Sequence, residues 1–136
     1  AGPFDDALFR HDEDTERSGR MRRRDWTVRH VHEAVTVHDH AASSGVSSPF
    51  FLDHNERNRL IVALMHAPWS VVLRGVGRSG ARVMLGPDRA RRARTMLDVI
   101  ARTPRALHRR HAVDRSATVP RSVPSALLVP DAQRRW

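Results

Sequence analysis

The hydrophobic positions of this chain are sparse and fall into a few short runs. Leu60, Ile61, Leu64 and Met65 repeat at the spacing of one helical face until Pro68. Asp53 is placed to cap that element, with Glu56 at the N3 position of a capping box, and the pattern predicts a helix near residues 54–66. Trp69, Val71 and Leu73 then alternate with Ser70, Val72 and Arg74, and after a glycine-rich stretch Ala81, Val83 and Leu85 alternate with Arg82 and Met84. A period of two predicts two strands joined as a hairpin. Gly86-Pro87-Asp88 breaks that pattern and opens a second helix in which Ala90, Ala93, Met96, Leu97, Ile100 and Ala101 share one broad face. Arg91, Arg92, Arg94 and Arg102 lie on the other side, and Thr103-Pro104 is expected to end the helix. The fold class expected from these runs is α+β: a small helix-strand-strand-helix unit with extended, mostly irregular N- and C-terminal arms.

The flanks carry weaker patterns. Between Trp26 and His40 the valines fit either a helical face or one side of a strand, and their β-branching tips the expectation toward strand. In residues 1–25 the anchors are Phe4, Leu8 and Phe9 ahead of a long polar run, which predicts an arm that orders only against a partner. Beyond residue 102 come Pro104, Pro120, Pro124 and Pro130 with no sustained period, apart from a short turn expected around Ala106 to Ala112. The expected organisation is therefore an arm over 1–25, a domain over 26–102 that is clearest in 54–102, and a basic tail over 103–136. The chain begins with Ala1 rather than Met, so the expectation is that an initiator Met or a longer leader has gone or that the sequence starts within a longer chain. Its acidic opening does not resemble a signal or transit peptide.

Composition narrows the chemistry. A length of 136 residues fits one domain and leaves no room for a separate cofactor fold. The absence of cysteine excludes disulfides, thiolate metal sites and a cysteine nucleophile, and the apolar runs are too short to span a bilayer, so no membrane partner is expected. All 24 basic residues are arginine, against 15 acids, for a formal charge of +9. The scarcity of residues with AT-rich codons explains much of the choice of Arg over Lys, but not the imbalance of charge. Residues 1–24 are neutral and residues 25–53 are acidic, so the excess lies in residues 54–136.

Gly75-Val76-Gly77-Arg78-Ser79-Gly80 spells the glycine string of dinucleotide-binding proteins, but a strand rather than a helix is expected after it, so no pyrophosphate site is read there. A glycine-rich hairpin carrying Arg74, Arg78 and Arg82 would instead press its backbone against phosphates. Arg89, Arg91, Arg92 and Arg94 crowd the start of the second helix with only Asp98 at an i+4 position among them, a repulsion that bound anions would relieve. Arg109 and Arg110 extend this nucleic-acid-binding set into the tail. Basic residues at the start of a helix after a hairpin are loosely similar to double-stranded-RNA-binding domains, at Arg91, Ala93 and Arg94. His30, His32, His38 and His40 form two His-x-His pairs that would share a strand face, a weak candidate metal site; no metal or other cofactor is expected. No acid, base and nucleophile set stands out, and an enzyme is not expected.

These features point to an RNA-binding structural component of a large ribonucleoprotein, a ribosomal protein of an organelle foremost, with rRNA-like phosphate backbone and neighbouring proteins as partners. The mitochondrial matrix is the favoured location, with the cytoplasm of a GC-rich bacterium as the alternative. Two other readings fit less of the pattern: a protein-interaction subunit without nucleic acid, and a winged DNA-binding regulator.

Overall fold

A computed structural model of the chain describes residues 2–5, 8, 12–29, 31–35 and 48–125. Among these described residues five helices form: α1 (Glu13–Arg22), α2 (Pro49–His66), α3 (Trp69–Leu85), α4 (Arg89–Arg115) and the single turn α5 (Ser122–Ser125). Among the described residues there is no strand, which overturns the α+β expectation. The similarity to double-stranded-RNA-binding domains, which rested on a hairpin, goes with it.

Helix α2 is the centre of the assembly and packs on α1, α3 and α4. It begins earlier than the sequence suggested, because Ser48 caps it by accepting a hydrogen bond from the Phe51 amide at 3.1 Å and Pro49 takes the first turn. Asp53 and Glu56, expected as caps, therefore lie inside the helix and are free to reach α4 and α3. Leu60, Ile61, Val62, Leu64 and Met65 are all buried, so α2 is covered nearly all round. Val72 of α3, Val99 and Ala106 of α4 and Leu8 complete the core.

The expected hairpin is the single helix α3. Its buried positions are Val72 and Ser79, seven residues apart, with Gly75 between them against Leu60. That is a helical repeat made of small residues, and the larger side chains at Trp69 and Leu73 mask it by repeating at a spacing of two with Val71 and facing outward. Ala67 and Pro68 form the link from α2, and Gly86 to Asp88 form the link to α4.

Helix α4 does not stop at Pro104 but runs on to Arg115. A proline removes one backbone hydrogen bond, here the one that the Ile100 carbonyl would accept, and costs about 3 kcal/mol inside a helix. Ile100 faces outward, where water can serve that carbonyl, and Ala106, Arg110 and Val113 continue the buried face begun by Thr95 and Val99. Burial of that face offsets the proline.

The arms are more structured than expected. Helix α1 lies in the segment read as an arm and docks on α2 so closely that a β-carbon at Gly19 would lie 3.1 Å from the His66 ring. After α4 the backbone amide of Thr118 donates to the Arg23 carbonyl at 2.9 Å, which ties the two ends of the described chain together. Of the segment expected as a strand, residues 26–29 and 31–35 are irregular, and 36–40 lie outside the described residues.

Candidate anion-binding groove

The folding of α2, α3 and α4 onto one another forms an open groove of about 690 Å³. Asp53, Glu56 and Arg59 line it from one side of α2, Arg78, Ser79 and Arg82 from α3, and Arg91, Arg92 and Thr95 from α4. The periodicity explains the grouping: residues three or four apart share a helix face, and each helix turns such a set toward the same space.

Two carboxylates organise the groove. Glu56 accepts a hydrogen bond from Ser79 Oγ and faces three guanidiniums, Arg82 at 3.4 Å, Arg59 at 3.6 Å and Arg92 at 4.0 Å. Asp53 pairs with Arg91 and accepts from Thr95 Oγ1 at 3.0 Å, while Arg91 also lies 3.6 Å from Asp88. Arg91 and Arg92 have no acid four residues further along their own helix, and Asp53 and Glu56 of α2 face them instead. Five guanidiniums and two carboxylates line the groove, which leaves it with an excess of three positive charges.

Of the arginines singled out from sequence, Arg78, Arg82, Arg91 and Arg92 meet here. Arg74 is exposed one turn before Arg78 on α3, and Arg89 and Arg94 are exposed on α4 outside the groove. Arg109 lies 3.5 Å from Asp5 in a separate contact with the N-terminal segment. Arg110 is buried: its Nη1 donates to the carbonyls of Leu64 at 2.8 Å and Ala67 at 2.9 Å, and its guanidinium lies over the Trp69 ring at 4.3 Å. Arg121 donates to the Met65 carbonyl at 2.7 Å, so two side chains satisfy the carbonyls at the C-terminal end of α2. Burial, and then the neighbouring guanidiniums of Arg121 and Arg23, lower the pKa of Arg110 against the pull of Asp114.

His32 is exposed in an irregular stretch, and His30, His38 and His40 lie outside the described residues. Among the described residues no group of three or more His, Cys, Asp or Glu is arranged to hold a metal ion. The glycine string of α3 forms no phosphate loop, since its backbone amides are spent within the helix.

One polar cluster carried no signal in the sequence. Glu16 of α1 is 1% exposed, with Arg20 Nε at 2.9 Å and His66 Nε2 at 3.1 Å. Burial acts to raise its pKa, but hydrogen bonds from His66 and Arg20 outweigh that, and the carboxyl stays below its ordinary value. Within the acidic run of residues 12–16 nothing distinguished Glu16 from its neighbours until α1 was laid against the last turn of α2. No family model matches the chain, and neither a curated protein sequence nor a solved structure matches it.

Proposed function

We propose that the chain is a helical binding module that receives the phosphate groups of a polyanion, structured RNA in the first place, in the groove between α2, α3 and α4. The observation that carries this reading is the convergence of five guanidiniums from three helices on a space that holds only two carboxylates. Glu56 and Asp53 fix the geometry of the arginines around them, and the donors of each guanidinium outnumber what a shared carboxylate oxygen can accept. Such a surface reads backbone charge rather than sequence, in keeping with a structural role in a ribonucleoprotein.

The test is filter binding of the full chain to a structured RNA at 50 and 200 mM salt. Three phosphate contacts would lower affinity roughly 40-fold over that range. Arg78→Gln with Arg82→Gln is expected to weaken binding and flatten the salt dependence. Absence of binding, salt-independent binding, or unchanged binding by the double variant would overturn the proposal.

A further inference from the structure

Helices α3 and α4 bury their small and polar positions and turn large apolar ones outward. On α3, Trp69, Leu73, Val76 and Met84 follow one another at intervals of four, three and eight residues, which places them along one side of the helix. On α4, Leu97 and Ile100 lie on the side opposite Thr95, Val99 and Ala106. Leu73 is 68% exposed, Met84 69%, Leu97 64% and Ile100 62%, whereas a side chain of this kind on a packed helix face is largely covered. Neither the groove nor a small cleft beside Asp5 and Arg109 includes any of these residues.

The charge around these stripes is one-sided. Between residues 69 and 104 the chain has eight arginines and two aspartates, and α3 contains no acid at all. Of the two aspartates, Asp98 is held at 2.8 Å by Arg102 and at 3.4 Å by Arg57. Arg74 is exposed on α3, and Arg89 and Arg94 are exposed on α4. An apolar stripe ending in tryptophan and edged by arginine is the pattern of a helix that lies in the plane of a membrane interface.

We propose that the outer surface of α3 and α4 docks on an anionic lipid bilayer, with Trp69, Leu73, Val76, Met84, Leu97 and Ile100 entering the interface and the flanking arginines meeting lipid phosphates. Charge complementarity selects this occupant. A second copy would bring one arginine-edged surface against another, and nucleic acid has no use for the aliphatic stripes. The stripes are exposed and lie outside both hollows, which suits a fluid surface better than a helix seeking a groove. Among the described residues no helix is long and apolar enough to cross a membrane, so the contact is peripheral. This surface is separate from the groove, and the inference stands whether or not RNA binds there.

The experiment is co-sedimentation of the full chain with vesicles of phosphatidylcholine alone and of phosphatidylcholine mixed with phosphatidylglycerol. Binding is expected to the mixed vesicles, weakly or not at all to the neutral ones, and to decline with salt. The exposed substitutions Leu73→Ser, Leu97→Ser and Ile100→Ser, combined, are expected to lower the partition coefficient at least about tenfold while leaving helical circular dichroism and thermal unfolding unchanged. A second readout, the emission of Trp69 obtained by difference from Trp69→Phe, is expected to shift to the blue on mixed vesicles only. Failure to bind mixed vesicles, or equal binding by the triple variant, overturns the inference. So does self-association in light scattering that the triple substitution abolishes, because the stripes would then serve a second copy. Arg78→Gln with Arg82→Gln that abolishes RNA binding while vesicle binding stays sensitive to the triple substitution would separate the two surfaces.

Discussion

Gly77 and Gly80 allow a direct measurement of whether residues 69–85 fold as one helix. A β-carbon at either position meets no atom within 4 Å outside its immediate surroundings, and neither glycine has a positive φ angle. Replacing glycine by alanine in a helix interior removes backbone freedom from the unfolded chain and gains about 1 kcal/mol per site. With no steric cost to subtract, Gly77→Ala and Gly80→Ala are each expected to stabilise the protein by about 1 kcal/mol and the pair by about 2 kcal/mol. Gly75 is the internal control, because its β-carbon would lie 3.3 Å from Leu60 Cδ2, in the core. There the same propensity gain meets a contact that must yield, and the net effect is expected near zero or below. Urea unfolding followed by circular dichroism gives the three values, and a gain of 1 kcal/mol corresponds to about 4 °C in Tm for a chain of this size. In a hairpin loop the glycines would instead supply positive φ angles, and alanine would destabilise at Gly77 and Gly80. That sign would refute the helical assignment of α3, and an equal gain at Gly75 would refute its packing against Leu60.

Arg110→Ala removes the donor to two buried carbonyls and the cation above Trp69, and is expected to cost about 3–5 kcal/mol in urea unfolding; a loss below about 1 kcal/mol would contradict its role at the end of α2. Asp12 has its pKa pushed up to about 6, first by burial and then by Asp14 and Glu13. A carboxyl raised in the folded state favours folding while protonated, so this contribution is complete below about pH 4 and is lost as pH rises through about 6. Asp12→Asn is therefore expected to stabilise the protein relative to the parent at pH 7, with the difference vanishing near pH 4; a difference independent of pH would rule this out. Glu16, Asp98 and Asp114, whose pKa values are lowered, act in the opposite sense and destabilise the protein only as pH falls below the ordinary carboxylate range.

The sequence was legible where large side chains are buried and misleading where small ones are. Leu60, Ile61, Leu64 and Met65 are in the core, and the helix read from them exists with an earlier start. In α3 the packing face consists of Val72, Gly75 and Ser79, which no hydrophobic pattern marks, while Trp69, Leu73 and Leu85 mimic a strand and lie on the surface. In α4 the apolar face read from sequence is the outer one at Ala90, Leu97, Ile100 and Ala101, and Arg91 and Arg92 turn inward because Asp53 and Glu56 of α2 await them. Charge density along the chain singled out Arg78, Arg82, Arg91 and Arg92, which the fold brings to one groove. It could not show that Arg110 ends up inside the fold, since buried and exposed arginines share one letter and only the packing of α4 on α2 brings the carbonyls of Leu64 and Ala67 within its reach.

The end of α2 has a consequence for the order in which the protein is made. The carbonyls of Leu64 and Met65 are met by Arg110 and Arg121, which lie 46 and 56 residues further along the chain. When α2 first leaves the ribosome its closing turn has no partner but water, and it stays unfinished through the synthesis of α3 and nearly all of α4. The central helix is thus completed by nearly the last described residues of the chain, and a polypeptide broken off before residue 110 carries a helix with an open end. Completion of the fold is in this way tied to completion of the chain through residue 121.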